Sequence, residues 1–270
     1  MSITSQTSEV MSGLQEVRTW QENLYRTLHQ YPELSCQEHK TASAIVQRLH
    51  SCGYEVHNGI GATGVVGILR NGDGPTVLLR SDIDALPVKE KTGLPYASSA
   101  TAIGPDGNEV PVMHACGHDL HVACLLGAAS LLASSPTSWS GTVVALFQPA
   151  EELGTGAQSM VDDGLAGLVG KVDVALAQHV LPFPAGQVAS RPGTMFSIAD
   201  SIKVTVYGRA SHGSMPQSSV DPVVLAAMIV VRLQTVVARE VAPTDSVVLT
   251  VGSIQSGTKS TSSVTMPSCF

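Results

Sequence analysis

Apolar residues recur along the chain in two alternating rhythms. Leu14, Val17, Trp20, Leu24 and Leu28 fall at steps of three and four, one stripe of a helix that Pro32 stops. A second helical stretch spans about 36–52 and ends before Gly53, a residue suited to the left-handed position after a helix. "GVVGIL" and "TVLLRSD" follow as short apolar runs bounded by Gly, Asn, Asp and Pro, the pattern of buried strands. An irregular stretch over 85–112 is rich in Pro, Gly, Ser and Ala. Beyond it, "HVACLLGAASLLA" predicts a buried helix, "GTVVALFQPAEE" a strand running into an acidic loop, and "KVDVALAQHV" a strand running into a histidine. Strands alternating with helices imply an α/β fold, a mostly parallel-stranded sheet flanked by helices. Such sheets carry their chemistry at the carboxyl ends of the strands. Asp82 with Asp84, Glu151 with Glu152, and His179 each close one of these strands.

After "PFPAG" the pattern changes. "SIADSIKVTVYGRASHGSMPQ" reads as an edge-type strand with Ser and Gly punctuation, and "SSVDPVVLAAMIVVRLQTVVARE" as a helix capped near Asp221 with Pro222 in its first turn. "DSVVLTVGSIQSG" reads as another strand. This β, α, β succession predicts a second domain of α+β type from about residue 189. A length of 270 residues, more than one hydrophobic core usually serves, agrees with two domains.

Composition narrows the possible partners. With 43% apolar and 14% charged residues the chain is globular rather than disordered. Its 15 basic and 22 acidic side chains give a formal charge of -7 without long blocks of either sign, so neither nucleic acid nor an anionic membrane is an expected partner. The longest uninterrupted apolar run, Val223 to Val231, falls short of the roughly 20 residues that span a bilayer, and "MSITSQTSEV" carries no secretory leader pattern. Five cysteines at irregular spacing suit a reducing compartment better than a disulfide framework. The expectation is a cytoplasmic, soluble protein.

The densest chemistry lies in "MHACGHDLH", Met113 to His121. His114, Cys116 and His118 are two apart, so in an extended loop their side chains emerge on one side. Thiolate and imidazole are preferred zinc ligands, and carboxylate is an acceptable third type. A polar loop is the bland alternative for the Cys-x-His pair alone; Glu151, Glu152 and His179 at two further strand ends favour metal. Adjacent residues of an extended segment point to opposite sides, so one carboxylate of the Glu151–Glu152 pair can bind metal while the other faces an activated water as general base. An isolated Glu-Glu would otherwise be an acidic turn. Cys116 could instead be a nucleophile, with His114, His118 or His121 as its partner. Asp82 is expected in the second shell, behind a ligating histidine. Cys36, Cys52 and Cys124 are expected to pack in the core, and His212 stands alone in the second domain.

Several segments together carry a family resemblance: "RSDIDALPVKEKTGLPYAS", "MHACGHDLHVACLLGAA", "FQPAEE", "QHVLPFPAG" and "GRASHGSMPQSSVDPV". They resemble, in order and over about residues 12–259, the amidohydrolase branch of the aminoacylase and carboxypeptidase-like zinc metallopeptidases. Hippurate hydrolases, indole-acetyl-amino acid hydrolases and N-acyl-diaminopimelate deacetylases belong to that branch. The resemblance implies a di-zinc peptidase-like catalytic domain over 1–188 and an inserted ferredoxin-like lid and dimerisation domain over 189–259. It implies two divalent metal ions, Zn or Mn, with Cys116 bridging them and His118, Glu152 and His179 as further ligands. Glu151 would be the general base that later protonates the leaving amine, and His212 would stabilise the oxyanion, reaching the site from the partner subunit of a homodimer. The implied reaction is hydrolysis of a small-molecule N-acyl amino acid. A non-catalytic binding or pairing remnant of such an enzyme is the alternative.

The resemblance has one departure. After Lys259 the tail "STSSVTMPSCF", residues 260–270, fits no pattern of the family, so the lid is expected to be partial, a last histidine ligand missing and activity impaired. A one-base shift of reading frame would account for such a tail.

Overall fold

The computed structural model describes residues 3–196, 198–256 and 268–269. The chain divides into two compact units, Met1–Ala185 and Gly186–Phe270. Most of the tail expected to be aberrant, 260–270, lies outside the described residues.

Unit 1 is built on a five-stranded sheet. Its helices on the N-terminal side are α1 (Ile3–Met11), α2 (Leu14–Gln30) and α3 (His39–Ser51). Strands β1 (Glu55–Ile60), β2 (Gly64–Asn71) and β3 (Thr76–Asp82) follow, then a two-stranded ribbon of β4 (Thr101–Ile103) and β5 (Glu109–Pro111). Helix α4 (His118–Ser134), strand β6 (Gly141–Gln148), helices α5 (Gly156–Asp162) and α6 (Leu165–Val169) and strand β7 (Val174–Ala177) complete the unit. The strand order is β1-β2-β6-β3-β7. β3 runs parallel to β6 and β7, as expected from the alternation of strands and helices. β1 and β2, however, join as an antiparallel hairpin that also pairs antiparallel with β6, which makes the sheet mixed. "EVHNGI" carries too few apolar residues to announce a strand; β1 lies at the edge, largely exposed, and needs no apolar face.

The period-two alternation of β2 and β6 divides their side chains between two layers. Val65, Val143, Ala145 and Phe147 join Leu28, Ile45, Leu49, Val122, Leu126 and Ala129 on the face covered by α2, α3 and α4. Val66, Ile68, Val144 and Leu146 point the other way, onto Met160, Leu165 and Leu168 of α5 and α6. β6 is buried at seven of its eight positions because both faces are covered and both edges are paired. β7, by contrast, is exposed along its length, with Val174 and Leu176 open to solvent.

Unit 2 contains β8 (Thr205–Val206), helix α7 (Pro222–Thr235) and β9 (Ser268–Cys269), which pairs antiparallel with β8. The expected cap forms: the Asp221 side chain accepts hydrogen bonds from the Val223 and Val224 N–H groups at 2.8 and 3.2 Å. The predicted strand over "DSVVLTVGSIQSG" does not form among the described residues, and the edge-type strand before it shrinks to two residues. A strand exists only through a hydrogen-bonded neighbour, which local sequence does not supply. A five-residue π-helical segment, Val236–Glu240, extends α7 to a 19-residue apolar helix, long and apolar enough by length and composition to cross a membrane. The nine-residue apolar run understated this, since Arg232 interrupts the run but not the helix. Pro222 and Ala226 are buried within the unit, whereas Val224, Met228 and Val231 are exposed.

Candidate metal centre

Parallel pairing of β3 with both neighbours gathers three strand ends. Asp82 stands opposite Gln148, and Arg80 opposite Ala177, so the segments carrying Asp84, Glu151–Glu152 and His179 leave the sheet side by side. The loop 113–117 brings Cys116 and the start of α4 to the same place. Gly117 makes that turn at φ +72°, and a Cβ there would lie 2.5 Å from Val180 Cγ2, so only glycine admits the close approach.

Cys116, His118 and Glu152 each offer a ligand atom within 4.8 Å of one another, as do Asp82, His118 and His121. His118 is fully buried. Its Nδ1 lies 2.9 Å from the Asp84 carbonyl and 3.2 Å from Asp84 Oδ1. Both of those oxygens accept, so Nδ1 carries a proton and, in the neutral ring, Nε2 carries the lone pair. Nε2 is buried without a hydrogen-bond partner, 3.8 Å from Glu151 Oε2 and 4.0 Å from Glu152 Oε1. A buried lone pair facing two carboxylates is unfavourable unless a proton or a cation lies between them. Thiol, imidazole and carboxylate also form a donor set that suits Zn²⁺ or Mn²⁺, so the residues present fit a divalent cation.

His179, exposed at the end of β7, joins the group: its ring centroid lies 4.8 Å from that of His121 and 5.7 Å from that of His118. His179 Nδ1 donates to the Val180 carbonyl at 2.7 Å, which places its lone pair on Nε2. His121, expected only as a partner for a nucleophilic Cys116, lies in the second ligand-spaced group. Chemistry argues against ligation in this arrangement: Nε2 accepts the Val180 N–H at 3.0 Å, so in the neutral ring Nδ1 bears the hydrogen and no lone pair remains. His121 ties α4 to the His179 segment instead.

The hydrogen bond to the His118 ring, expected from Asp82, is made with Asp84. Asp84 also accepts from Ser35 Oγ at 2.7 Å and from the Glu152 N–H at 3.0 Å, joining three segments of the site. Asp82 forms an ion pair with Arg80 and faces His118 and His121. Both aspartates end the same strand two residues apart, and sequence alone does not distinguish which one turns toward the imidazole.

Local electrostatics follow from this crowding of acids. Burial, a hydrogen bond to Glu152, and the charges of Glu152, Glu151 and Asp84 push the Cys116 thiol up to about 12. Burial raises Asp82 to about 6, against the opposing pull of Arg80 and His118. Burial would lower His118, but the Asp84 hydrogen bond and the charges of Asp82, Asp84 and Glu152 outweigh it, and the net shift is upward. Burial and the neighbouring cationic groups His118, His179 and Arg80 lower His121 to about 4. A nucleophilic cysteine needs the opposite field, since cations next to a thiol lower its pKa. The surroundings of Cys116 therefore favour a ligand over a nucleophile. Cys36 is exposed, and Cys52 and Cys124 are half-buried; all three are free thiols, with Cys52 packed at the rim of the core.

His212 lies in unit 2, exposed, in a turn where Nδ1 accepts from the Ser214 hydroxyl at 2.7 Å and the Ser214 N–H at 3.2 Å. Its neutral ring therefore presents Nε2–H as a donor.

The profile of peptidase family M20/M25/M40 matches residues 78–262. The chain belongs to that family. It is 42% identical over 234 residues to the N-acetyl-L-cysteine deacetylase of Bacillus subtilis, covering 86% of this chain and 53% of the relative. It is 40% identical over 238 residues to the hippurate hydrolase of Campylobacter jejuni, covering 87% and 59%. Its fold matches the crystal structure of a dinuclear metal-binding family M20 peptidase from Bacillus subtilis with a TM-score of 0.65 at 29% identity, over 94% of this chain and 63% of that one. The M20 chain thus spans a little more than half the length of the curated relatives it matches.

Proposed function

We propose that the chain is the N-terminal portion of a metal-dependent amidohydrolase that cleaves the amide bond of N-acyl amino acids. The observation that carries this reading is the convergence of Cys116, His118 and Glu152 around a buried, unpartnered His118 Nε2. Cys116, His118, Glu152 and His179 would hold two divalent cations, with Asp84 fixing the tautomer of His118. When bound, such cations polarise a scissile carbonyl and acidify water. Glu151, half-exposed beside buried His118, would serve as the general base, taking a proton from the attacking water and passing it to the departing amine. His212, an exposed N–H donor, would steady the oxyanion. The activities named for the deacetylase and the hippurate hydrolase support a small N-acyl amino acid as substrate.

The same reading makes 1–188 the catalytic domain and 189–259 a partial lid through which the longer protein pairs as a homodimer; the exposed Val224, Met228 and Val231 of α7 supply an apolar surface for pairing. Four free cysteines among the described residues fit a cytoplasmic setting. The exposure of β7 favours a chain impaired on its own, a remnant with the site but little turnover.

The test is hydrolysis of a panel of N-acyl amino acids by the chain, stripped with chelator and reloaded with Zn²⁺ or Mn²⁺, alone and extended to the length of its relatives. Restored activity that falls about 10²–10⁴-fold in Glu151→Gln while metal content stays constant supports the reading. Activity that survives chelator but dies on thiol alkylation refutes it. Metal binding without turnover in either length establishes the remnant.

A further inference from the structure

The peptide that carries Glu151 and Glu152 is held in an unusual conformation. Ala150 has φ +46°, a left-handed backbone at a non-glycine residue that is almost wholly buried. L-residues enter this region at a cost and persist there only where the surroundings over-determine it. Here the surroundings are two buried carboxylates. Glu38, fully buried at the start of α3, accepts the Ala150 N–H on Oε1 at 2.9 Å and the Thr63 hydroxyl on Oε2 at 2.6 Å. On the other side of Glu151, Asp84 accepts the Glu152 N–H. The Ala150 carbonyl receives the Thr155 and Gly156 N–H groups, which closes the turn. Among the described residues the Glu38 carboxylate hydrogen-bonds Thr63 and Ala150 and none of the candidate ligands, and it has no part in the chemistry proposed above.

We propose that Glu38 is a positioning residue: by clamping the Ala150 N–H between α3 and Thr63, it fixes the left-handed turn that aims Glu151 and Glu152 at Cys116 and His118. This inference rests on the metal reading of the site. Removing the clamp frees Ala150 to relax to an ordinary conformation, and a rotation there moves both following carboxylates. Gln at 38 can keep both contacts, its carbonyl accepting from Ala150 and its amide donating to Thr63, so geometry rather than charge is the property required.

Cobalt(II) titration of the whole chain, read by the thiolate-to-cobalt absorption of Cys116, tests this without turnover. Glu38→Ala is expected to weaken cobalt binding about 10–100-fold, the range for lost outer-shell partners. Glu38→Gln is expected to stay within about threefold of the parent, and Thr63→Val to fall between the two. Ile45→Val, a destabilising change in the buried face of the same helix, is expected to leave cobalt affinity unchanged. Should Glu38→Ala fail to fold, Thr63→Val against Ile45→Val decides. Unchanged affinity in a folded Glu38→Ala, or equal losses in Thr63→Val and Ile45→Val, overturns the inference. A parent chain that develops no cobalt–thiolate band overturns the metal reading and the inference with it.

Discussion

Replacing His29 by Leu tests how the start of α4 is held. His29 is buried between two acids: Nδ1 lies 2.6 Å from Asp119 Oδ2 and Nε2 lies 3.1 Å from Glu90 Oε1, with the rings of Tyr25 and Tyr96 packed around it. With both carboxylates ionised, only the imidazolium satisfies both; burial holds Asp119 above the usual carboxylate range against the pull of His29. Asp119 follows His118 directly, so the network anchors the first turn of α4 to α2 and to the loop of Glu90. Breaking a buried ion pair by removing one partner costs about 3–5 kcal/mol, a large share of the roughly 5–15 kcal/mol that holds a domain together. The pH dependence has a definite sign. Burial would lower the His29 pKa, but hydrogen bonds to Glu90 and Asp119 raise it above the ordinary 6.5. Its contribution is therefore complete below the unfolded-state value and is lost as pH rises through the folded-state value. Glu90 is shifted down: burial opposes, while Thr92, the Ser98 N–H and His29 outweigh it, so its share is lost on acidification. Urea unfolding of parent and His29→Leu at about pH 5.5, 7 and 8.5 should show the largest gap at about pH 5.5, narrowing as pH rises. A gap that stays constant across this range, or one below about 1 kcal/mol, refutes the imidazolium clamp.

Three further outcomes follow from the site and the core. With its pKa near 12, Cys116 is a thiol in the metal-free chain at neutral pH, so binding of Zn²⁺ should release about one proton there and strengthen about tenfold per pH unit; calorimetry in buffers of different ionisation enthalpy reads the release, and Cys116→Ser should lose it. Gly117→Ala puts a methyl group 2.5 Å from Val180 Cγ2 at a left-handed position, with a backbone cost of about 1–2 kcal/mol before the clash; thermal unfolding should shift down and cobalt affinity fall. Phe147→Ala, emptying a fully buried position beneath α4, should cost about 3–5 kcal/mol in urea unfolding.

What could be read from sequence was set by locality. The stripe from Leu14 to Leu28, the apolar run of β6 and the Asp221–Pro222 helix start each depend on neighbours within a few residues, and each is present in the fold. The clustering of Cys116, His118, Glu152 and His179 was approachable because parallel strands deliver their ends to one side. The antiparallel pairing of β2 with β6 was not, since it joins strands far apart along the chain, and β1 carries too few apolar residues to announce its place beside β2. Nor was the role of Glu38, whose contacts with Thr63 and Ala150 join residues 25 and 112 positions away. "QEHK" reads as an ordinary polar helix start, and a carboxylate there gives no sign that it will be buried. The pairing of His29 with Asp119 spans 90 positions and is equally invisible along the chain. The exchange of Asp82 for Asp84 behind His118 is different in kind: the right strand end was legible, but the turn of the chain after β3 decides which carboxylate faces the ring.

The shifts within the site combine burial with a crowding of acids, and the second bears on its purpose. Cys116, Asp82 and His118 all hold their protons more tightly than usual, and each has the charges of neighbouring acids among its causes. Burial is the largest cause for Cys116 and Asp82, with the crowded acids adding to it, whereas at His118 burial opposes and the acids prevail; Asp84, despite burial, is held below the usual carboxylate range by the hydrogen bonds it accepts. His121, one turn along α4, is shifted down, first by burial and then by His118, His179 and Arg80, so the crowding of acids lies on the side where Glu151 and Glu152 converge. Protons alone relieve it poorly, because each reaches one group at a time. A divalent cation at His118 Nε2 would offset several acids at once and reverse the sign of the field acting on Cys116, as a cation beside a thiol does. A site shaped only for stability would bury fewer acids or pair each with an arginine, as Asp82 is paired with Arg80. Leaving Glu151 and Glu152 facing an unpartnered imidazole lowers the stability of the metal-free chain, and that cost is intelligible where cation binding is the function.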